Sequence, residues 1–363
     1  MKYVDEFRDL QIAKKVLKEI SKYSEDDYRI MEVCGTHTQT IFRYGLQHLL
    51  PREIKFLSGP GCPVCVSPTD FIDKAVGYSK IKDFIITTFG DMMKVPGSHS
   101  SLEKERARGR DVRVVFSSLD ALEIASRNPY KKVVFLGVGF ETTAPTVAAS
   151  ILEAKKKNID NFFVLSGHKI MPPALKALLE GKKLNIDAFI LPAHVSAIIG
   201  SRPYSFIAEE FGIDCVIAGF EPLDVLQGVL MLLKAKASGS KPSIKLQYIR
   251  VVKTNGNRRA INVIEDVFRT GAARWRGLGN ISGSGLIIRD KYKFFDIESH
   301  RKIKTGKIKE NPLCICASVL KGLKTPLDCR VFGKACKPDN PVGPCMVSGE
   351  GTCSTYFKYG DRK

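Results

Sequence analysis

The strongest constraint on the fold is a strand–loop–helix unit that runs through the first two thirds of the chain in two successive series. Four apolar runs, "RIMEV" (29–33), "EIKFL" (53–57), "DFIITT" (83–88) and "VRVVF" (112–116), each end in a loop and lead into a helical pattern. Continuous apolar strands alternating with helices imply parallel sheets covered on both faces. The series then returns as "KVVFLGVGFETTAPT" (132–146), "FFVLSGHKIMPPALKALL" (162–179), "DAFILPAHVSAIIGSRP" (187–203) and "CVIAGFEPLDVLQ" (215–227). Ser58-Gly59 matches Ser166-Gly167, Gly97-Ser98 matches Gly200-Ser201, and Leu119-Asp120 matches Leu223-Asp224, at separations of 108, 103 and 104 residues. An offset this steady argues for two similar halves.

The expected fold class is therefore α/β, with two similar parallel-sheet domains, 29–130 and 131–236, facing a central cleft. A helix in 1–28 is expected to pack on a C-terminal domain, 237–363. "KASGSKPS" (236–243) reads as the linker into that last region, where "RRAINVIEDVFRTGAARW" (258–275) looks helical. Ligands of open parallel sheets bind beyond the carboxyl ends of the strands. The loops CGTHT, GPGCPVC, GFETTAP, SGHKIMPP and PAHVS all fall there, so the two halves are expected to line one cleft with them.

Ten cysteines stand in 363 residues, six of them in the last 50. Their spacing is C-x-C-x12-C-x6-C-x8-C-x7-C, from Cys314 to Cys353, among glycines and prolines. A crowd of thiols in a reducing compartment suggests a metal site or redox relay before a disulfide scaffold. Zinc knuckles want paired CxxC motifs, and the tail has none. Four thiolates suit a cubane iron–sulfur cluster, with two cysteines over. On spacing alone the order is iron–sulfur, then zinc, then disulfides.

Cys62 and Cys65 do form a CxxC pair, just ahead of a helix expected to start near Pro68. A helix N-terminus stabilises thiolate, which favours a redox dithiol over half a zinc site. Cys34, at a strand end beside Gly35 and three residues before His37, reads as an exposed thiolate, ligand or nucleophile, with His37 as neighbour or proton acceptor. The competing reading is a plain buried cysteine. His168 and His194 read equally as loop hydrogen-bonders or proton carriers. Glu141, with Thr142 and Thr143, either orients a ligand or caps the next helix. Cys215 reads as core, and Trp275 as a stacking residue with its flanking arginines snorkelling around it.

The net charge of +19 is scattered rather than gathered into a nucleic-acid motif. A solvated surface is the first reading, an acidic protein partner the second, nucleic acid the third. No apolar run reaches the roughly 20 residues that cross a bilayer. With no signal-peptide core at the N-terminus, the chain is expected in the cytoplasm.

Together "EVCGTHT", "GPGCPVC", "GFETTAP", "PAHVSAIIG", "GFEPLD", "RWRGLG" and the cysteine tail resemble the hydrogenase maturation factor family HypD. Two family positions differ: Gln39 stands where a second histidine is frequent, and Ser282 where proline is common. The resemblance implies a scaffold that, with the small chaperone HypC, holds an iron while cyanide, donated by HypE, and carbon monoxide are added. It implies Cys34 as an iron ligand, Cys62 and Cys65 as a redox pair, and a [4Fe-4S] cluster in the tail. By analogy with ferredoxin–thioredoxin reductase, the cluster ligands are expected to be Cys314, Cys329, Cys336 and Cys353, with Cys316 and Cys345 as an adjacent redox pair. Such a chain is an assembly scaffold more than a turnover enzyme. The alternatives are a stand-alone disulfide reductase and a basic iron–sulfur protein that binds nucleic acid.

Overall fold

The computed structural model describes residues 5–181 and 185–360. Nine parallel strands form two sheets. They are β1 (Tyr28–Glu32), β2 (Ile54–Ser58), β3 (Phe84–Thr88), β4 (Val112–Val114), β5 (Lys132–Gly137), β6 (Phe162–Ser166), β7 (Ala188–Leu191), β8 (Asp214–Ile217) and β9 (Ile244–Leu246). Sheet A runs β2-β1-β7-β8-β9 and sheet B runs β4-β3-β5-β6. Every residue of β3 and β7 is buried, as are the inner residues of β5 and β6, which explains their unbroken apolar runs.

Two parallel-sheet α/β units are present, but they are not the consecutive blocks 29–130 and 131–236. Each sheet takes its first two strands from one series and its next two from the other. Under the repeat, β1, β2, β7 and β8 correspond to β5, β6, β3 and β4. Sheet A without β9 thus has the same strand order as sheet B. The chain leaves sheet A after β2, builds all of sheet B, and returns at β7. A repeat found by pattern shows which segments are alike, and says nothing of which copies pair.

The expected third domain is also divided. The segment after 236–243 first adds β9 to the edge of sheet A, pairing with β8. The helix of 258–275 stops at Val267, and residues 268–275 form β10 (Phe268–Trp275), antiparallel to β11 (Gly279–Ile288). This hairpin lies against sheet B, where the Ile170 N–H donates to the Ser284 carbonyl and the Ser166 hydroxyl to the Leu286 carbonyl. The cysteine tail closes with the helix Thr352–Tyr359, packed on the helix Gly35–Arg43 with Phe42 and Tyr356 at 4.2 Å.

The expected N-terminal block 1–28 begins outside the described residues. Its helix, Leu10–Ile20, packs on the helix Pro222–Ser238 behind sheet A, while Phe7 of the same block meets region 237–363 under the guanidinium of Arg250 at 3.9 Å. Its Val16, Leu17 and Ile20 share one buried apolar cluster with Leu226, Val229 and Leu233, and Arg8 pairs with Glu221. Among the described residues no helix is long and apolar enough to cross a membrane.

Candidate functional site

In sheet A the strand order reverses between β1 and β7, leaving the crevice in which doubly wound sheets bind ligands. Cys34 lies two residues beyond β1 and is the N-cap residue of the helix Gly35–Arg43. Pro192 ends β7, and His194 lies in the first turn of the helix Ala193–Ile199. Between them is a cavity of about 230 Å³, whose lining includes Cys34, Gly61, Phe140, Thr142, His194 and Glu350. Burial, and next the carboxylate of Glu350, push the Cys34 thiol up to about 12. Without a cation beside it, Cys34 is a neutral thiol. The His194 ring stacks on Phe220 at 4.0 Å, and burial lowers its pKa.

The GPGCPVC loop lies directly on Cys34. A Cβ on Gly61 would stand 2.2 Å from the Val33 carbonyl carbon and 2.3 Å from the Cys34 nitrogen, so only glycine allows this approach. The chain then makes one helical turn, Pro63–Val66, capped by Cys62, whose sulfur accepts the Cys65 N–H at 3.2 Å. Cys62 and Cys65 are joined as a disulfide, with Cα atoms 5.2 Å apart. Both are buried. Their neighbours Gly61 and Pro63 form the cavity wall.

On its other side the Pro63–Val66 turn packs against the turn Pro344–Met346, which carries Cys345. Cys62, Cys65, Cys316 and Cys345 share one continuous buried cluster. All six tail cysteines line one small cavity, together with Val331, Phe332 and Met346. Within it the Cys316 and Cys345 sulfurs lie 2.6 Å apart. Cys316 is held well towards thiolate by hydrogen bonds from Cys314 and Cys345, while Cys345 is pushed up by the same contact with Cys316. Soft donors in an apolar wall match the chemistry of an iron–sulfur cluster. Among the described residues no three Cys, His, Asp or Glu side chains stand together as a single-ion site. A second, more polar cavity of about 420 Å³ opens against Cys314 and Cys316, with Arg276 and Lys309 in its wall.

A family model named HypD, described as "Hydrogenase formation hypA family", matches residues 11–360. The chain belongs to the HypD family. It is 45% identical over 372 residues to the hydrogenase maturation factor HypD of Rhodobacter capsulatus, covering 99% of this chain and 98% of that protein. It is 44% identical over 368 residues to HypD of Escherichia coli (strain K12), with coverage of 99% and 98%. A putative hydrogenase expression/formation protein of Methanocaldococcus jannaschii is 44% identical over 353 residues, with coverage of 97% and 98%.

Not every residue singled out from the sequence of this HypD-family chain reaches the Cys34 cavity. Cys34, Thr142 and His194 line it. His37 turns away into the interior, where its Nε2 donates to the Ala218 and Gly219 carbonyls at 3.0 and 3.1 Å, and burial holds it down at about 4. Its Nδ1 is buried without a hydrogen-bond partner. Glu141 is buried, pushed up to about 7 by burial, and its Oε1 accepts the Met171 N–H at 3.0 Å. Thr143 packs back on Gly139. The SGHKIMPP loop does not join the cleft either. The β10–β11 hairpin covers it, and neither ring nitrogen of the buried His168 has a hydrogen-bond partner.

Cys215 is core, as expected. Trp275 does stack, on Phe140 at 5.9 Å, but Arg276 does not snorkel. Its guanidinium donates to the Ser67 carbonyl and the Thr69 hydroxyl, tying the hairpin to the segment behind the disulfide. Glu350 was missed altogether. It comes from the tail loop between Cys345 and Cys353, accepts the Thr36 hydroxyl at 3.0 Å, and so brings the cysteine tail to the mouth of the Cys34 cavity. The available signal was an acid set between two glycines inside the cysteine run.

Proposed function

We propose that this chain is a cytoplasmic maturation scaffold for [NiFe] hydrogenase, holding an iron cargo on Cys34 while that iron acquires cyanide and carbonyl ligands. The partners in this reading are a HypC-type small chaperone, which brings a second thiolate, and a HypE-type cyanide donor. The observation that carries it is the position of Cys34 at the sheet A switch point, in a cavity walled by the disulfide loop and by Glu350 of the tail. A buried thiol that ionises only with a cation beside it is suited to take a soft, thiophilic metal and release its proton on binding.

The tail is read as the site of a [4Fe-4S] cluster held by Cys314, Cys329, Cys336 and Cys353. Support comes from the six cysteines lining one apolar cavity and from the close approach of Cys316 to Cys345, which leaves those four over. When bound, such a cluster supplies single electrons. The chain's own part is to gather the sulfurs against an apolar wall and to pack the Cys345 turn against the Cys62–Cys65 turn. The burial of that pair speaks against a stand-alone reductase, because the thiolate released on its reduction would have no path to the disulfide of a bulky protein.

Infrared spectroscopy of the chain copurified with its small chaperone tests the iron reading. Cyanide and carbonyl stretching bands are expected from the natural chain and should vanish in Cys34→Ala. Bands of full strength in that variant would overturn the assignment. Anaerobic iron and sulfide analysis tests the tail separately. About four irons per chain, matched by sulfide, are expected from cubane ligation, whereas stoichiometric zinc without sulfide would refute it.

A further inference from the structure

The two sheets match strand for strand except at one edge. In sheet A, β9 lies beyond β8, with Ile244–Leu246 paired to Cys215–Ile217. The equivalent strand of sheet B is β4, since β4 pairs with β3 as β8 pairs with β7. No described strand lies beyond β4. In both sheets the residue before the next helix's N-cap is phenylalanine: Phe220 before Glu221 and Phe116 before Ser117, each N-cap forming a capping box. Phe220 is packed against His37, His194 and Tyr248, the last just past the end of β9. Phe116 is 93% exposed, with Val114 and Leu119 beside it at 42% and 48%. A bare apolar row on an open edge strand is a surface that proteins otherwise cover or charge.

Exposed positive charge gathers at the amino end of this edge, while at its other end Asp120 accepts the Phe116 N–H. Lys104, Arg106, Arg108 and Arg110 are exposed on the helix Leu102–Ala107 and the turn that leads into β4. Glu105 is buried and answered by Arg108, while Asp111 is shared by Arg113 and Lys131. The surplus is positive. A second copy of this chain brings the same +19 and is repelled.

We propose that the β4 edge receives an extended, acidic, strand-forming segment of another protein, which becomes the fifth strand of sheet B in the place β9 fills in sheet A. Backbone pairing centred on Val114 supplies the affinity common to such strand addition, since the Val112 N–H already donates to the Arg110 carbonyl and the Phe116 N–H to Asp120. Alternate apolar side chains of the segment cover Val114 and Phe116, and its acids meet the arginines above. This surface is separate from the Cys34 cavity.

The test uses the full chain and a short end-blocked peptide of alternating glutamate and valine, with its lysine–valine counterpart as control. Hydrogen exchange across residues 110–116 should slow on adding the glutamate peptide and not the lysine peptide. The glutamate peptide should bind at least about tenfold more tightly, a difference of about 1.4 kcal/mol. Phe116→Ser and Val114→Glu alter exposed residues, so the fold is retained, and each should abolish the protection. Unchanged exchange at millimolar peptide, equal binding of the two peptides, or full protection in Phe116→Ser would each overturn the proposal. Protection that rises with the chain's own concentration would assign the edge to a second copy instead.

Discussion

The same turn is built twice, at the carboxyl ends of β2 and β6, and the two copies have opposite fates. Gly59 donates its N–H to the Glu32 carbonyl as Gly167 does to the Gly137 carbonyl, both at 2.8 Å. From there the first copy continues into Cys62 and Cys65 and walls an open cavity at Cys34. The second continues into His168 and Lys169 and is sealed under the β10–β11 hairpin. One scaffold thus carries a site at one pole and a plug at the other. Since both poles keep the turn, the thiols of the first are not needed to hold the loop.

The contrast breaks most readily at its chemical end. Cys62→Ala should reduce hydrogenase maturation to background in cells that depend on this chain, while His168→Leu should leave it intact. Loss in both would mean that the sealed pole also takes part. Removing two unpartnered ring nitrogens from the interior should raise the stability of His168→Leu by about 1 kcal/mol, read from denaturant midpoints. Next in size is the close approach of the loops. Gly61→Ala should cost about 1–3 kcal/mol, because backbone must move to admit the methyl group. Gly167→Ala should cost less, since its new Cβ meets the ring of Phe71, which can turn aside.

Acid should sharpen the same distinction. Burial holds His168 at about 3 and His37 at about 4 in the folded chain, below the ordinary histidine value of about 6.5. The unfolded chain therefore takes up these protons first, and stability falls as pH drops below about 6.5. His168→Leu should remove one histidine's share of that slope, at most about 1.4 kcal/mol per pH unit. An unchanged slope between pH 4 and pH 6 would show that His168 is not the buried neutral ring described here. The smallest effect is expected at the open pole. Glu350→Gln keeps an acceptor for Thr36 but removes a negative charge near Cys34, so the thiol should ionise at lower pH. Faster alkylation of Cys34 at pH 8 would show it, and an equal or slower rate would break the link between tail and cavity.

Much of this was legible in the sequence, because the signals were local. Apolar runs such as "DFIITT" and "KVVFLG" mark buried parallel strands wherever they pair, and the landmarks from Ser58 to Asp224 revealed the duplication. Cys34, Thr142 and His194 were legible because each lies within a few residues of a strand's carboxyl end. What failed depended on pairing across distance. Nothing in "DAFILP" says that β7 joins β1 of the other series, and the sheet boundaries went wrong accordingly. His37 was misplaced because the helix after Cys34 turns its third residue inward, towards the β8 loop. "FRTGAARW" was read as helix, although the facing run "GNISGSGLII" supplies it with a strand partner.

The exchange of strands between the sheets also bears on how the chain is made. When the first series has left the ribosome, sheet A consists of β1 and β2 and sheet B of β3 and β4, each a pair with an unfilled central edge. Sheet B closes once β5 and β6 follow, but sheet A waits for β7, which pairs Ile30 with Ala188 across more than half of the length so far synthesised. Such distant parallel pairing closes slowly and leaves apolar edges open meanwhile. The cavity at Cys34, which lies on that seam and takes Glu350 from the tail, is therefore among the final features to form, and a chain cut short before β7 lacks one of its walls.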